Sequence, residues 1–338
     1  MYHSGVSTVS ILTATPILSY QSRPRRDGQT TNLPAAEKTA APTVTNQSEF
    51  SLQTIQKRSV PFTAVQSSAF HRDGAVLLKS VFDVDAIEGL QHAVLDAAAA
   101  GSEHQKVFTQ PGDLGRYVSD VWVSERSVTF RDFCRNATVA SIPCFFLDSS
   151  SARFLYDSWI IKHPGTFDRT PWHQDWGIAG PVVSLWVPLD PVPRTASVQV
   201  VRGSHRWNRQ FYEPWREAEF ADMRRKLGPK LRNPNGSMPE PMPDIDRDRD
   251  RYEILSWSME PTDCLVLNPM AIHGAPGNPT EVTMRRYTCR WSTPNARLSP
   301  SGTAYYATLG KTGHIDTVLE DGTAMLSDEG CPVITPAV

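Results

Sequence analysis

His173-Gln174-Asp175, inside the stretch TPWHQDWGIAG from Thr170 to Gly180, sets an imidazole and a carboxylate two residues apart between two tryptophans. On a β-strand, side chains i and i+2 leave the same face, so both groups can aim at one point a few ångströms away. That is half of a metal site. The spelling alone is cheap, because His71-Arg72-Asp73 and His314-Ile315-Asp316 repeat it. His71 precedes an Asp-Gly turn, and His314 lies in a Gly-rich loop with no histidine after it, so a turn or surface role is expected for both. Only His173 stands in strand-rich sequence with further histidines downstream.

Two histidines, His205 and His273, can supply a third ligand. His205 sits in the tight turn VRGSHRW, where a backbone hydrogen bond would satisfy it. His273 ends the apolar run DCLVLNPMAIHGAPGN and is preferred, because a strand end holds a ring rigidly. Two neutral imidazoles and one carboxylate leave three positions of an octahedron open, the arrangement of non-haem Fe(II) oxygenases, and no fourth ligand for a closed zinc site is evident. Arg285 and Arg286 follow His273 in TMRRYTCRW. A guanidinium on a sheet presents a planar fork to a carboxylate, so a dicarboxylate could chelate the metal at one end and bind arginine at the other.

The elements that must position these groups are mostly strands. With 338 residues, of which 40% are hydrophobic, the chain can fill a large core. Its net charge of −2 calls for neither nucleic acid nor an anionic membrane, so a small molecule is the expected partner. Five cysteines without a C-x-x-C pair argue against a disulfide framework or a thiolate zinc site, and point to a reducing, intracellular setting. The apolar run Val9 to Leu18 is too short and too interrupted to span a bilayer. Residues 1–65 read as a disordered extension. Their acid-free start, with the cluster Arg23-Pro24-Arg25-Arg26, also suits a transit peptide, so the expected location is cytoplasmic, with mitochondrial as the alternative.

Folded sequence is expected over 66–300. GAVLLKSVF (Gly74 to Phe82) reads as a strand, and Asp85 to Gly101 as a helix opened by a capping box of Asp85 and Glu88. Helix is expected again over 125–147, broken at Pro143. From Arg153 onward short β-branched and aromatic runs follow: RFLYDSWIIKH, VVSLWVPLD, SVQVV, DCLVLNPM and RRYTCRWS. Helices first and strands afterwards predict helices packed on an antiparallel sandwich or barrel. An insertion over 215–252 holds a helix from Trp215 to Leu227 and a Pro-rich, then charged, loop. DIDRDRDR there is not a calcium loop, because Arg249 and Leu255 occupy the positions that need Gly and Glu. Residues 301–338 read as a C-terminal extension.

FHRDGAVLL, KHPGTFDRTPWHQD, VSLWVPLD, VRGSHRW and IHGAPGN…RRYTCRW, in this order from about Phe70 to Trp291, resemble the phytanoyl-CoA dioxygenase family of Fe(II)/2-oxoglutarate oxygenases. The resemblance implies a mainly β fold with flanking helices, a double-stranded β-helix of the cupin jelly-roll type. It implies His173, Asp175 and His273 as iron ligands, with Lys162 and Trp186 lining the cofactor or substrate cavity. The family's 2-oxoglutarate arginine would fall at Met284. Either Arg285 or Arg286 then takes its place, Arg286 ahead because it shares strand parity with Met284 and has Thr288 two residues on as a hydroxyl partner. The Gly common before GSH is absent from RTASVQVV.

The implied cofactors are Fe(II), 2-oxoglutarate as co-substrate, and O2, with succinate and CO2 released and a C–H bond of a small, partly apolar substrate hydroxylated or otherwise oxidised. Two other readings stand beside it: a non-catalytic jelly-roll binding or scaffold relative, and a metallohydrolase using the same three ligands. Trp172, Trp176 and Tyr156, with Phe211 and Tyr212, are the candidate substrate-pocket residues. Substrate identity and oligomeric state are left open.

Overall fold

The computed structural model describes residues 62–109, 112–233 and 236–336. The expected N-terminal extension lies outside them as far as residue 61. Helix α1 (Ala64–Asp73) then starts two residues before the boundary expected at 66. It carries a capping box: the Thr63 hydroxyl accepts from the Gln66 N–H, and the Gln66 side chain accepts from the Thr63 N–H. Only Phe70 and Asp73 of this helix are buried, so it offered no apolar period to read. Gly74 ends it at φ 89°.

Strand β1 (Ala75–Leu78) leads into helix α2 (Val84–Ala100). Ile87, Leu90 and Val94 bury one face of α2, each contributing roughly 1.5–3 kcal/mol. The capping box expected at Asp85 and Glu88 is not what starts it: the N-cap is Asp83, which makes no side-chain bond. Strands β2 (Lys106–Val107) and β3 (Tyr117–Val121) follow, then helices α3 (Val128–Arg135) and α4 (Ala137–Phe146). The helical stretch expected to break at Pro143 breaks at Asn136 instead. The Asn136 side chain accepts from the Thr138 and Val139 N–H groups and so starts a new helix, which carries Pro143 inside it.

The strands that carry the site come next: β4 (Ala152–Lys162), β5 (Thr170–His173), β6 (Ile178–Ala179), β7 (Val182–Pro188), β8 (Gln199–Val201) and β9 (Phe211–Tyr212). Helix α5 (Glu217–Leu227) interrupts them before β10 (Glu240–Pro241), β11 (Ile254–Ser256), β12 (Cys264–Leu267), β13 (His273–Ala275), β14 (Met284–Ser292) and β15 (Arg297–Leu298). Helix α6 (Pro300–Thr308) and strands β16 (Ile315–Val318), β17 (Ala324–Leu326) and β18 (Val333–Ile334) follow.

Two antiparallel sheets form a double-stranded β-helix: β12-β7-β14-β4, and β11-β8-β13-β5. The chain passes back and forth between them, so neighbours within a sheet are distant in sequence. Strand β1 extends the first sheet beyond β12, and β3 and β2 extend it beyond β4. The alternation of β14 decides where its residues go. Tyr287, Cys289 and Trp291 face outward into a core shared with α2, α3 and α4. Met284 and Trp186 face inward, packing with Val198 and Val200 of the second sheet region. Among the described residues no helix is long and apolar enough to cross a membrane, and all five cysteines are free and buried.

Candidate metal and co-substrate site

Strands β5 and β13 pair so that His173 and His273 are Cα partners, and their ring centroids lie 4.1 Å apart. Asp175 does not continue the strand alternation that its spacing suggested, since β5 ends at His173. The loop after it is fixed in another way. Asp175 donates its N–H to Pro269 O at 2.8 Å, while the Gln174 side chain donates to Met270 O and accepts from the Phe211 N–H. This brings Asp175 Oδ1 to 3.6 Å from His173 Nε2, and Oδ2 to 3.9 Å from His273 Nε2. Two donors each about 2.1 Å from one ion stand roughly 3–3.5 Å apart, so the cluster needs only a small contraction to hold a metal.

The outer contacts of the rings fit that use. His173 Nδ1 lies 2.8 Å from Pro171 O, and His273 Nδ1 lies 2.8 Å from Ala271 O. Each Nδ1–H thus donates to the carbonyl two residues back, which leaves Nε2 with a lone pair aimed into the cluster. Burial, aided by His173, pushes His273 down to about 3, so it is neutral. Burial alone would raise the Asp175 carboxyl, but Arg290, His173 and His273 outweigh it and hold it well below the usual carboxylate range. Arg290 reaches Asp175 Oδ2 with Nη2 at 2.6 Å and Nε at 3.1 Å. The cluster holds three protein donors among the described residues, a set that suits a divalent ion with open positions.

Inward-facing positions of β14 continue away from the metal cluster. Thr288 Oγ1 lies 2.6 Å from Ser158 Oγ. Beyond it, Arg286 is 1% exposed, donates from Nη2 to Ala196 O at 2.8 Å, and lies over the Trp186 ring at 4.8 Å. Its Nε has no partner among the described residues. Lys162 is fully buried, donates to Pro276 O at 2.8 Å and Asp168 O at 3.1 Å, and lies over the Tyr117 ring. Burial pushes Arg286 down to about 10, and burial followed by Arg286 drives Lys162 well below its ordinary value. Among the described residues neither has a carboxylate in salt-bridge reach, an arrangement that invites an anion. Arg285 is committed elsewhere: its guanidinium grips Asp190 at 2.6 and 2.9 Å.

The other sequence candidates separate. His205 Nε2 donates to the His71 carbonyl, and His314 meets Glu125, both away from the cluster. Tyr156 and Trp176 line a pocket beside Asp175 and Arg290, with Tyr212. Trp172 and Phe211 pack into a separate core with Met242 and Ile245, because strand parity turns Trp172 away from His173. Trp186 supports Arg286. Sequence reasoning missed Arg290, although it shares strand parity with Arg286. It also missed the pocket walls from α5 (Phe220, Met223) and α6 (Tyr305, Tyr306), for which no motif exists.

Helix α6 is seated on the loop that carries Asp175. A Cβ on Gly302 would meet Gly177 O at 1.9 Å, and the Ser299 N–H donates to the same carbonyl at 2.8 Å. Gly302→Ala should therefore push α6 off the loop, costing about 1–3 kcal/mol by urea denaturation and raising the substrate KM. A variant of wild-type stability would show that the backbones can part freely.

A family model described as phytanoyl-CoA dioxygenase (PhyH) matches residues 70–287. No curated protein sequence gives a match. Among solved structures, the chain is similar to the non-heme alpha ketoglutarate dependent epimerase SnoN from nogalamycin biosynthesis: TM-score 0.59 and 16% identity, covering 81% of this chain and 96% of that one. It is also similar to the carbocyclase SnoK from the same biosynthesis, with TM-score 0.58, 13% identity, 81% of this chain and 97% of that chain. A third is EctD from S. alaskensis with 2-oxoglutarate and 5-hydroxyectoine: TM-score 0.53 and 20% identity, over 72% and 80% of the two chains. These likenesses establish the jelly-roll fold.

Proposed function

Because the chain belongs to the phytanoyl-CoA dioxygenase family, we propose that it is an Fe(II)- and 2-oxoglutarate-dependent oxygenase acting on a small, partly apolar organic molecule. One observation carries the reading: an open His173-Asp175-His273 donor set and a buried, anion-free pair, Arg286 and Lys162, share one barrel interior. SnoN has been solved with Fe3+ and alpha ketoglutarate, and EctD with 2-oxoglutarate, which supports this reading.

When bound, iron with 2-oxoglutarate and O2 supplies the oxidising equivalents, with succinate and CO2 released and a substrate C–H bond hydroxylated or otherwise oxidised. The chain's own residues do the rest. His173, Asp175 and His273 hold the metal with one negative charge between them, and the two backbone carbonyls fix the ring tautomers. Arg286, which lies over the Trp186 ring, would hold the distal carboxylate of the co-substrate, with the buried Lys162 as a further N–H donor nearby. The guanidinium acts at greater strength there because water is excluded from it. Arg290 keeps one Asp175 oxygen occupied and leaves the other for the metal.

The test is anaerobic addition of Fe(II) and 2-oxoglutarate to the full chain, followed by air. A weak visible charge-transfer band that needs both additions, and succinate formation that needs O2, are expected. Turnover of a substrate without O2 or 2-oxoglutarate would make the protein a metallohydrolase instead.

A further inference from the structure

The pocket beside Asp175 restricts what can be oxidised there, an inference that rests on the oxygenase reading. Its walls are largely aromatic: Trp176, Tyr156, Tyr212 and Phe220 line it, and Tyr212 stacks on Phe220 with centroids 4.0 Å apart and planes 7° from parallel. Aromatic walls favour flat ligands, since offset stacking needs a planar partner.

Three phenols line the same space: Tyr156, Tyr305 and Tyr306. None of their hydroxyls has a hydrogen-bond partner among the described residues, and Tyr306, 3% exposed, is a buried donor left unsatisfied. Burial pushes Tyr156 up to about 12 and raises Tyr305 and Tyr306 further, so all three are neutral donors. A buried hydroxyl without a partner is costly, and an acceptor oxygen on a ligand relieves that cost.

Charge on the lining is paired, with three carboxylates to two guanidiniums. Arg290 is taken by Asp175, and Arg216 stands between Glu219 at 2.7 Å and Glu213 at 3.8 Å. No other charged side chain lines the pocket. An anionic substrate would meet an excess of carboxylate and no free cation, and a cationic one would find every lining carboxylate already within 4 Å of a guanidinium.

We propose that the substrate is an uncharged, flat, ring-containing molecule bearing carbonyl, ether or hydroxyl oxygens, its rings held between Trp176 and the Tyr212–Phe220 stack and its oxygens accepting from the Tyr305 and Tyr306 hydroxyls. An acyl-CoA thioester, flexible and highly charged, is a poor match to these walls.

The experiment uses the full chain with Mn(II) and 2-oxoglutarate under anaerobic conditions, and four probes. Three share one ring frame: 2-acetylnaphthalene, 2-naphthoate and 1-(2-naphthyl)ethylamine. The fourth is palmitoyl-CoA. Calorimetry should give the neutral ketone a Kd at least about tenfold lower than that of any charged probe. Tyr306→Phe should weaken ketone binding about fivefold while 2-oxoglutarate still binds with its wild-type Kd, which also shows that the variant is folded. The inference is overturned if a charged probe binds as tightly as the ketone, if no probe binds while 2-oxoglutarate does, or if Tyr306→Phe leaves the ketone Kd unchanged. Loss of Mn(II) or 2-oxoglutarate binding in the wild-type chain would instead count against the oxygenase reading. The probe ranking, repeated without metal, would still decide the pocket.

Discussion

Replacing Arg286 with leucine should weaken 2-oxoglutarate binding by about thirtyfold or more, whereas Arg285→Ala should leave it within about threefold. Removing one partner of a buried, hydrogen-bonded charge pair costs about 2–5 kcal/mol, and every 1.4 kcal/mol is tenfold in Kd. Arg286 has the position for such a pair: 1% exposed, one N–H on Ala196 O, its Nε free. Arg285 spends its guanidinium on Asp190, which also accepts the Arg285 N–H at 2.6 Å. The two variants should also differ in sign. Leucine at 286 removes an unpaired buried cation from a setting of Trp186 and Met284, so the protein without co-substrate should be as stable as wild type or more so. Alanine at 285 leaves Asp190 without its partner and should lower stability. Calorimetry of the Mn(II)-loaded protein and urea midpoints would read both effects. Equal loss of affinity in the two variants would remove Arg286 from the co-substrate role.

The same contrast shows what a sequence can and cannot carry. Strand parity is local, so the inward set Arg286 and Thr288 was readable from β14 alone, and the pairing of His173 with a histidine at a strand end followed from rigidity. What sets Arg285 apart from Arg286 is not local. It depends on Asp190 lying beside one and Ala196 O beside the other, contacts set by the sheet register of β14 with β7. Asp175 is the instructive case. The i, i+2 spacing predicted that His173 and Asp175 come together, as they do, but for a reason that does not hold, because β5 ends before Asp175 and Pro269 O and the Gln174 anchors place the carboxylate. The capping box at Asp85 and Glu88 had a sound sequence signature yet lost to a start one residue earlier in the chain, at Val84. The pocket walls of α5 and α6 were invisible, since Phe220, Tyr305 and Tyr306 acquire meaning only once those helices lie against the barrel mouth.

Asp175→Ala should do two separable things: abolish tight Mn(II) binding and destabilise the metal-free protein by about 3–5 kcal/mol. The second effect comes from Arg290, whose side chain is only 15% exposed and would be left as an uncompensated charge. Arg290→Met leaves the reverse problem, a buried carboxylate without its cation, and a divalent ion can itself supply the missing positive charge. Its metal-free stability should fall, its Mn(II) affinity should drop about 10–100-fold because Asp175 is no longer oriented, and saturating Mn(II) should recover more stability than in wild type. The double variant Asp175→Ala/Arg290→Met removes both charges. It should regain most of the stability lost by Asp175→Ala while staying unable to bind the metal, since the Met side chain shares the site with the Tyr156 ring that Arg290 covers. Urea midpoints in EDTA and in Mn(II) for the four proteins close this cycle. A double variant as unstable as Asp175→Ala alone would mean that Arg290 is not held by Asp175, and the carboxylate would then owe its position to the Pro269 carbonyl and the Gln174 side-chain anchors alone.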